Sequence, residues 1–174
     1  MAKENRRKEE RQRRGKAAER EVARTLAELP RNEYAVFNNV RALYGDIDHL
    51  VIHRSGAVYL LETKGHHGKV TWDGKQLLLN GHAFEKDFIA QIHRNITWLR
   101  QIIKEHTGVD TWIFSCLVFP NALIYSSKNK RVLRLKPVKW VNVVCGGFLK
   151  RLIELYVPAT AKPAIWEKKE TMFG

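Results

Sequence analysis

The sequence predicts an α/β domain in which helices flank a sheet whose opening strands are antiparallel. Two segments repeat apolar residues at helical spacing, and short β-branched and aromatic runs lie between and after them. A three-residue segment, Arg54-Ser55-Gly56, joins two of these runs and is typical of a β-hairpin loop. With 174 residues and 44% hydrophobic composition, the chain can bury one core, and disorder is excluded.

The first half of the chain predicts a helix, three strands and a small hairpin. The helix covers residues 16–29, because Ala18, Val22 and Leu26 recur at helical spacing before Pro30. The three strands are YAVFNNV, IDHLVIH and AVYLLET, and the hairpin pairs KVTW with QLLLNG. A turn signal, Asp73-Gly74, separates the two halves of this hairpin.

The second half predicts a helix, two strands and a closing helix. Residues 84–106 carry one apolar face, and TWIFSCLVF and RVLRL are the predicted strands. The closing helix is expected from about Val138 to Tyr156. We divide the chain into a basic arm (1–14), an α/β domain (15–157) and a C-terminal tail (158–174) to which no structure is assigned.

The charge of the chain favours a polyanionic partner. Its formal net charge is +13, and residues 1–16 carry eight Lys/Arg against three Glu. Nucleic acid leads, with an acidic membrane surface or a ribosomal neighbour as alternatives. Residues 1–16 lack apolar periodicity, so they form either a solvated helix extension or a nucleic-acid-binding arm.

Two observations favour a cytoplasmic setting. The two cysteines, Cys116 and Cys145, are too few for a disulfide framework. The N-terminal segment is charged from its third residue and shows no apolar signal-peptide core. The longest apolar run, residues 138–157, is interrupted by charged side chains, so no membrane partner is expected.

The hairpin loop fixes which residues face each other. A three-residue loop pairs His53 with Ala57, which places Asp48 directly opposite Glu62. Directly opposed residues project on one face of a sheet, and Lys64 shares that face with Glu62 because it lies two residues further on. A two-residue loop would instead put Glu62 on the other face. The sequence therefore predicts a cluster of two carboxylates and a lysine.

Opposed carboxylates repel each other unless a cation or a proton lies between them. A hard divalent cation, Mg²⁺ or in its place Mn²⁺, suits two carboxylates and water. A nearby lysine can orient water or stabilise charge on a phosphate, which is the chemistry of metal-assisted phosphodiester hydrolysis. The alternative is an ion-pair patch at the end of a strand.

These residues resemble a known family. Asp48 followed by Glu62-Thr63-Lys64 after an apolar hairpin is similar to the PD-(D/E)XK nuclease signature. The segments GKAAEREV, IDHLVI and LLETKG resemble the nuclease-related domain (NERD) over roughly residues 15–120. The segment GKAAERE also resembles the opening helix of archaeal Holliday-junction resolvases. The resemblance implies a restriction-endonuclease-like α/β core, with a mixed sheet flanked by helices.

The resemblance also implies roles for individual residues. Asp48 and Glu62 match metal ligands, with the main-chain carbonyl of Thr63 as a third. Glu19 matches an acidic residue of the first helix that assists the metal or water, and Glu21 is the competing candidate.

Two further positions match functional residues of the family. Lys64 corresponds to the catalytic lysine, and Gln91 to a glutamine directed at the site from the second helix, although a solvated position is an equal alternative for it. Asp46 either shares the metal or only borders the strand. The adjacent His66 and His67 are interpreted as loop residues, with phosphate contacts as the alternative.

The resulting expectation is a Mg²⁺-dependent deoxyribonuclease. DNA is favoured over RNA, and the oligomeric state is left open, a homodimer included. A catalytically silent DNA-binding module and a basic RNA- or ribosome-associated protein are the alternatives. The intact set of Asp48, Glu62 and Lys64 argues against the silent module.

Overall fold

The structure, a computed structural model, describes residues 1–158 and 161–174. Those residues form four helices: α1 (Ala2–Ala27), α2 (Phe88–Thr107), α3 (Gly146–Leu155) and α4 (Pro163–Phe173). They also form ten strands: β1 (Tyr34–Val40), β2 (Ile47–His53), β3 (Val58–Thr63), β4 (Gly68–Trp72), β5 (Leu77–Leu79), β6 (His82–Ala83), β7 (Ile113–Phe119), β8 (Ala122–Tyr125), β9 (Arg131–Val132) and β10 (Val141–Cys145).

The first sheet is the centre of the fold. Its strand order is β1-β2-β3-β7-β10, with antiparallel pairing from β1 to β3 and parallel pairing from β3 to β10. One face packs against α2 and α4 through buried residues such as Ile92 and Ile165. The other face packs against α1 and α3 through residues such as Val22 and Leu149. The predicted mixed sheet flanked by helices is therefore confirmed.

The sequence analysis expected one sheet, and the structure has a second of order β6-β5-β4-β8-β9. The hairpin around Asp73-Gly74 is confirmed, because β4 pairs with β5 in antiparallel fashion and Gly74 has a φ of 95°. Parallel pairing of β4 with β8 joins this hairpin to strands far along the chain. Such long-range pairing leaves no local sequence signal, so the second sheet was not predicted.

The register of the β2–β3 hairpin was predicted correctly. The His53 N–H donates to the Ala57 carbonyl at 2.9 Å, and Gly56 has a left-handed φ of 89°. Along the strands, His49 pairs with Leu61 and Leu50 with Leu60. The same register carried one residue further sets Asp48 opposite Glu62.

Helix α1 runs without a break through the segment predicted as a basic arm. Residues 2–14 are helical and exposed, whereas Ala18, Val22 and Leu26 are buried against the sheet. The segment predicted as an arm is therefore an exposed extension of helix α1. Its role in binding, and the division at residue 14, stay predictions.

The closing helix predicted from Val138 to Tyr156 is wrong in its first half. Residues Val141–Cys145 form β10, parallel to β7, and α3 begins only at Gly146. A short apolar run followed directly by an amphipathic helix has the same composition as one longer helix, so periodicity could not separate them. The predicted strand RVLRL is shorter in the structure, where only Arg131–Val132 form β9. Helix α2 begins at Phe88 rather than at residue 84, because the side chain of Asp87 caps it by accepting a hydrogen bond from the Ala90 N–H at 3.0 Å.

The C-terminal segment, to which the sequence analysis assigned no structure, contains α4. Ile165 of this helix is fully buried. The main chain of Lys162 packs closely on Gly56, because a Cβ added at Gly56 would lie 1.8 Å from the Lys162 carbonyl oxygen. Residues 159 and 160 of the predicted tail lie outside the described residues. Among the residues that are described, no helix is both long and apolar enough to cross a membrane.

Candidate functional site

Two carboxylates meet at the end of the β2–β3 hairpin. Glu62 is 2% exposed, and the main-chain N–H of Thr63 donates to Asp48 Oδ2 at 2.7 Å. Glu62 and Asp48 alternate with Leu61 and His49, so both lie on the sheet face that packs against α2. Glu62 Oε1 is buried and has no hydrogen-bond partner among the described residues. The hairpin thus holds one satisfied and one unsatisfied carboxylate side by side.

Lys64 adds a positive charge to the same face. Its Nζ lies 3.7 Å from Glu62 Oε2 and 4.5 Å from the centre of the Phe88 ring on α2. Its main-chain N–H donates to the Val118 carbonyl at 2.9 Å, which continues the β3–β7 pairing one residue past β3. The lysine is therefore held by the sheet at its main chain and by an aromatic ring and a carboxylate at its tip.

Gly65 brings α1 to the site. A Cβ at this position would lie 2.8 Å from the Arg14 carbonyl oxygen and 3.2 Å from the Ala18 Cβ, so a larger residue would push α1 away. This close approach places Glu19 at the strand end, where it is half-buried. Glu21, the competing candidate, is exposed. Glu19 therefore reaches the carboxylate pair from the opposite face of the sheet, around the end of β3.

Burial raises the pKa of all three carboxyl groups. Burial, followed by the negative charge of Asp48, raises the pKa of Glu62 to about 8, although Lys64 opposes the shift. Burial also raises the pKa of Asp48, against the Thr63 N–H and Lys64, which lower it. The pKa of Glu19 is raised by burial and then by the charge of Asp48. A cation bound among them would offset this cost.

The oxygen atoms of Asp48 and Glu62 fit a divalent cation. The unsatisfied Glu62 Oε1 and the adjacent Asp48 carboxylate supply the hard oxygen ligands that Mg²⁺ prefers. Within residues 1–158 and 161–174, no group of three or more His, Cys, Asp or Glu side chains is arranged to hold a metal ion. Mg²⁺ commonly uses one or two carboxylates and completes its coordination with water and substrate phosphate, so the pair fits that ion.

The site opens into a cleft of about 690 Å³. Glu19, Thr63, Lys64, His66, His67 and Gln91 line it, together with Glu85 and four basic side chains that were not predicted individually from the sequence: Arg11, Arg14, His82 and Lys86. A signal for two of these existed, because Arg11 and Arg14 extend the buried series Ala18, Val22 towards the N-terminus at helical spacing. The lining of the cleft is thus rich in basic side chains, and of the three carboxyl groups of the site it includes Glu19.

The remaining sequence candidates fall in different places. Gln91 is half-buried on α2 and lines the cleft. Its direction at the site and its role stay predictions. Asp46 is exposed and lies outside β2. His66 packs its ring 5.1 Å from the Phe84 ring, whereas His67 is exposed. His66 is therefore a half-buried loop residue packed against an aromatic ring, whereas His67 is a solvated one.

The fold and the site together define an α/β protein in which an acidic pair adjoins a cleft that is lined by Lys64 and other basic side chains. The chain matches the family model of the nuclease-related domain over residues 14–120, which is more than half of its length. It belongs to the nuclease-related domain family. Comparison with curated proteins and with solved structures returns no significant match.

Proposed function

We propose that this protein is a divalent-metal-dependent nuclease that hydrolyses DNA phosphodiester bonds, and that its main sheet is a PD-(D/E)XK core. One observation carries the proposal: Asp48 and Glu62 oppose each other on adjacent strands with Lys64 Nζ 3.7 Å from Glu62. Membership of the nuclease-related domain family supports it. The expected cofactor is Mg²⁺, with Mn²⁺ as a substitute.

Each residue has a separate task in this proposal. Asp48, Glu62 and the Thr63 carbonyl hold the cation, and Glu19 supports it from α1. When bound, the cation activates water and stabilises negative charge on the phosphate. Lys64 orients the attacking water and donates to the developing charge, since its ammonium is fixed beside Glu62 and over Phe88.

The basic wall of the cleft accounts for the choice of substrate. Arg11, Arg14 and Lys86 face the same space as Lys64, so a phosphodiester backbone in the cleft would be surrounded by positive charge. Gln91 positions the strand from α2. The buried thiol of Cys116 and the free Cys145 fit a reducing, cytoplasmic setting, which we propose with the activity.

One experiment separates this function from its alternatives. Purified protein is incubated with labelled linear, circular, single-stranded and branched DNA in Mg²⁺, Mn²⁺ or EDTA, and with one RNA. A nuclease cleaves DNA with Mg²⁺ or Mn²⁺ and not with EDTA. A silent binding module retains DNA in EDTA and never cleaves it, and an RNA-associated protein prefers the RNA.

A further inference from the structure

Two tryptophan rings form an exposed pair away from the carboxylate cluster. Trp112 and Trp140 are 49% and 75% exposed, and their ring centroids are 6.0 Å apart in an edge-to-face arrangement. They immediately precede the neighbouring parallel strands β7 and β10. Glu62 pairs with Leu117 in the second half of β7, so the rings lie at the opposite end of the sheet, roughly 15–20 Å away along the strand.

The backbone that presents Trp140 adopts an unfavourable conformation. Val138 and Val141 exchange both main-chain hydrogen bonds, at 2.8 and 2.9 Å, so Lys139 and Trp140 form a two-residue hairpin turn. Both have positive φ, 47° and 70°, which is the pattern that normally selects Asn-Gly. A tryptophan in this conformation is strained, so the needs of the turn do not account for a tryptophan at position 140.

The chain segment that contains both tryptophans, bounded by Asp110 and Glu154, is basic, which favours an anionic partner. Residues 111–153 contain no Asp or Glu and eight basic residues: Lys128, Lys130, Arg131, Arg134, Lys136, Lys139, Lys150 and Arg151. Most of this segment lies beyond the family match, which ends at residue 120. An exposed aromatic pair within an acid-free basic segment is the combination by which proteins hold unpaired bases and their phosphates.

A second cavity connects the turn to the cleft. It measures about 110 Å³, and its lining includes three aromatic rings, three ammonium groups and one carboxylate: Trp72, Phe84, Phe88, Lys75, Lys86, Lys139 and Asp87. Phe84, Lys86 and Phe88 also line the main cleft. His93 of α2 fixes the turn from below, because its Nε2 lies 2.8 Å from the Lys139 carbonyl oxygen. Basic and aromatic side chains therefore follow one another from Lys64 to Lys139, which directly precedes Trp140.

We propose that this series is a track for a single strand of nucleic acid, with the Trp112–Trp140 pair stacking on unpaired bases. The inference rests on the proposed function for its premise that nucleic acid occupies the cleft. Bases inside a duplex have both faces covered, so away from a duplex end the exposed ring of Trp140 can stack only on an unpaired base. At a stacked rise of about 3.4 Å per nucleotide, the span from the cleft to the pair needs on the order of five unpaired nucleotides.

The test measures binding in EDTA, so that cleavage cannot interfere. Fluorescence anisotropy compares a blunt DNA duplex with the same duplex carrying a single-stranded tail of two or of twelve thymidines. The wild type is expected to bind the twelve-nucleotide tail about tenfold more tightly than either other DNA. Trp140→Gly should remove this preference without lowering the melting temperature, because glycine suits the positive φ. Trp140→Phe should retain most of it, and Leu155→Ala, which alters another exposed apolar residue, should retain all of it.

The outcomes distinguish this inference from the proposed function. Binding to all three DNAs with equal affinity, or a tail preference that survives Trp140→Gly, overturns the track and leaves the nuclease proposal standing. Failure to bind any of the DNAs overturns the nucleic-acid premise itself. Phosphatidylserine vesicles are the second probe. Vesicle binding that depends on Trp140, with no tail preference, assigns the pair to a membrane surface and overturns the track.

Discussion

The main-chain N–H of Thr63 donates a 2.7 Å hydrogen bond to the carboxylate of Asp48. The bond links the two strands of the hairpin at the point where their acidic side chains meet. It orients Asp48 beside Glu62 and lowers the pKa of Asp48 against the effect of burial. The backbone, rather than flexible side chains alone, thus sets the geometry of the acidic pair.

Divalent metal should stabilise the protein through this pair. We expect Mg²⁺ or Mn²⁺ to raise the melting temperature, with a gain of about 2.7 kcal/mol in unfolding free energy at a concentration a hundredfold above Kd. Asp48→Asn and Glu62→Gln should each abolish the increment, because each removes one ligand. Thermal unfolding with metal or EDTA measures it, with the exposed Glu167→Gln as the control. An increment that persists in both site variants contradicts the assignment of the ligands.

Metal-free stability should decrease as pH rises from about 4.5 to 8. The pKa of Glu62 is about 8 in the folded protein against an ordinary 4.5, so the folded state holds the proton more tightly. Its contribution is complete below pH 4.5 and is lost as pH rises through 8. Burial lowers the pKa of His49 to about 4, so this residue makes the folded state more stable as pH rises from about 4 to 6.5. The wild type must therefore be compared with Glu62→Gln.

Urea unfolding in EDTA at pH 5, 6.5 and 8 provides that comparison. The difference in unfolding free energy between Glu62→Gln and the wild type should shift in favour of the variant as pH rises. A difference that is constant with pH contradicts the buried, proton-binding state of Glu62.

The helical arm should contribute to DNA binding through two arginines that face the cleft. The double variant Arg11→Ala/Arg14→Ala should weaken binding equally across DNA sequences. It should also reduce the slope of log affinity against log salt concentration by about 2, because the loss of two phosphate contacts means that fewer counterions are released on binding. Arg6→Ala/Arg13→Ala removes the same charge from residues outside the cleft lining and should change the slope less. Equal slopes for the two double variants would favour the solvated-extension interpretation.

Gly65 should be intolerant of a side chain. Gly65→Ala places a Cβ 2.8 Å from the Arg14 carbonyl oxygen, so α1 must shift, at a cost of about 1–3 kcal/mol. Gly15→Ala makes the same change on α1 in open space and should stabilise the helix by about 0.5–1 kcal/mol. Chemical denaturation of both variants measures the contrast. Equal stability of the two would show that the close approach is not required.

The sequence predicted local geometry better than long-range arrangement. The turn at Gly56 was sufficient to place Asp48 opposite Glu62, because a hairpin register depends only on residues near the loop. The strand β10 was taken for part of a helix, and the second sheet was missed, because both depend on partners distant in the chain.

The site was predicted to a similar extent. The register of one hairpin predicted that Asp48, Glu62 and Lys64 share a face of the sheet. Glu19 and Gln91 were predicted only from the family resemblance. The contribution of Arg11 to the cleft depends on how α1 packs at Gly65, which composition does not reveal.

Lys64 offers the most direct test of the proposed chemistry. Lys64→Ala removes one positive charge from a chain with 31 Lys/Arg, so its affinity for DNA should decrease only slightly. The rate of DNA cleavage should nevertheless fall by about a hundredfold or more, because the residue orients water and stabilises charge in the transition state. Lys64→Arg should also be poorly active, since a guanidinium does not replace a compact ammonium.

The decisive measurement is single-turnover cleavage of labelled DNA in Mg²⁺ by the wild type, Lys64→Ala and Lys69→Ala. Lys69 lies on β4, outside the residues that line the cleft, and serves as the charge-matched control. The account predicts a large loss of rate for Lys64→Ala at near-normal affinity, with little change for Lys69→Ala. Cleavage by Lys64→Ala at close to the wild-type rate would contradict it.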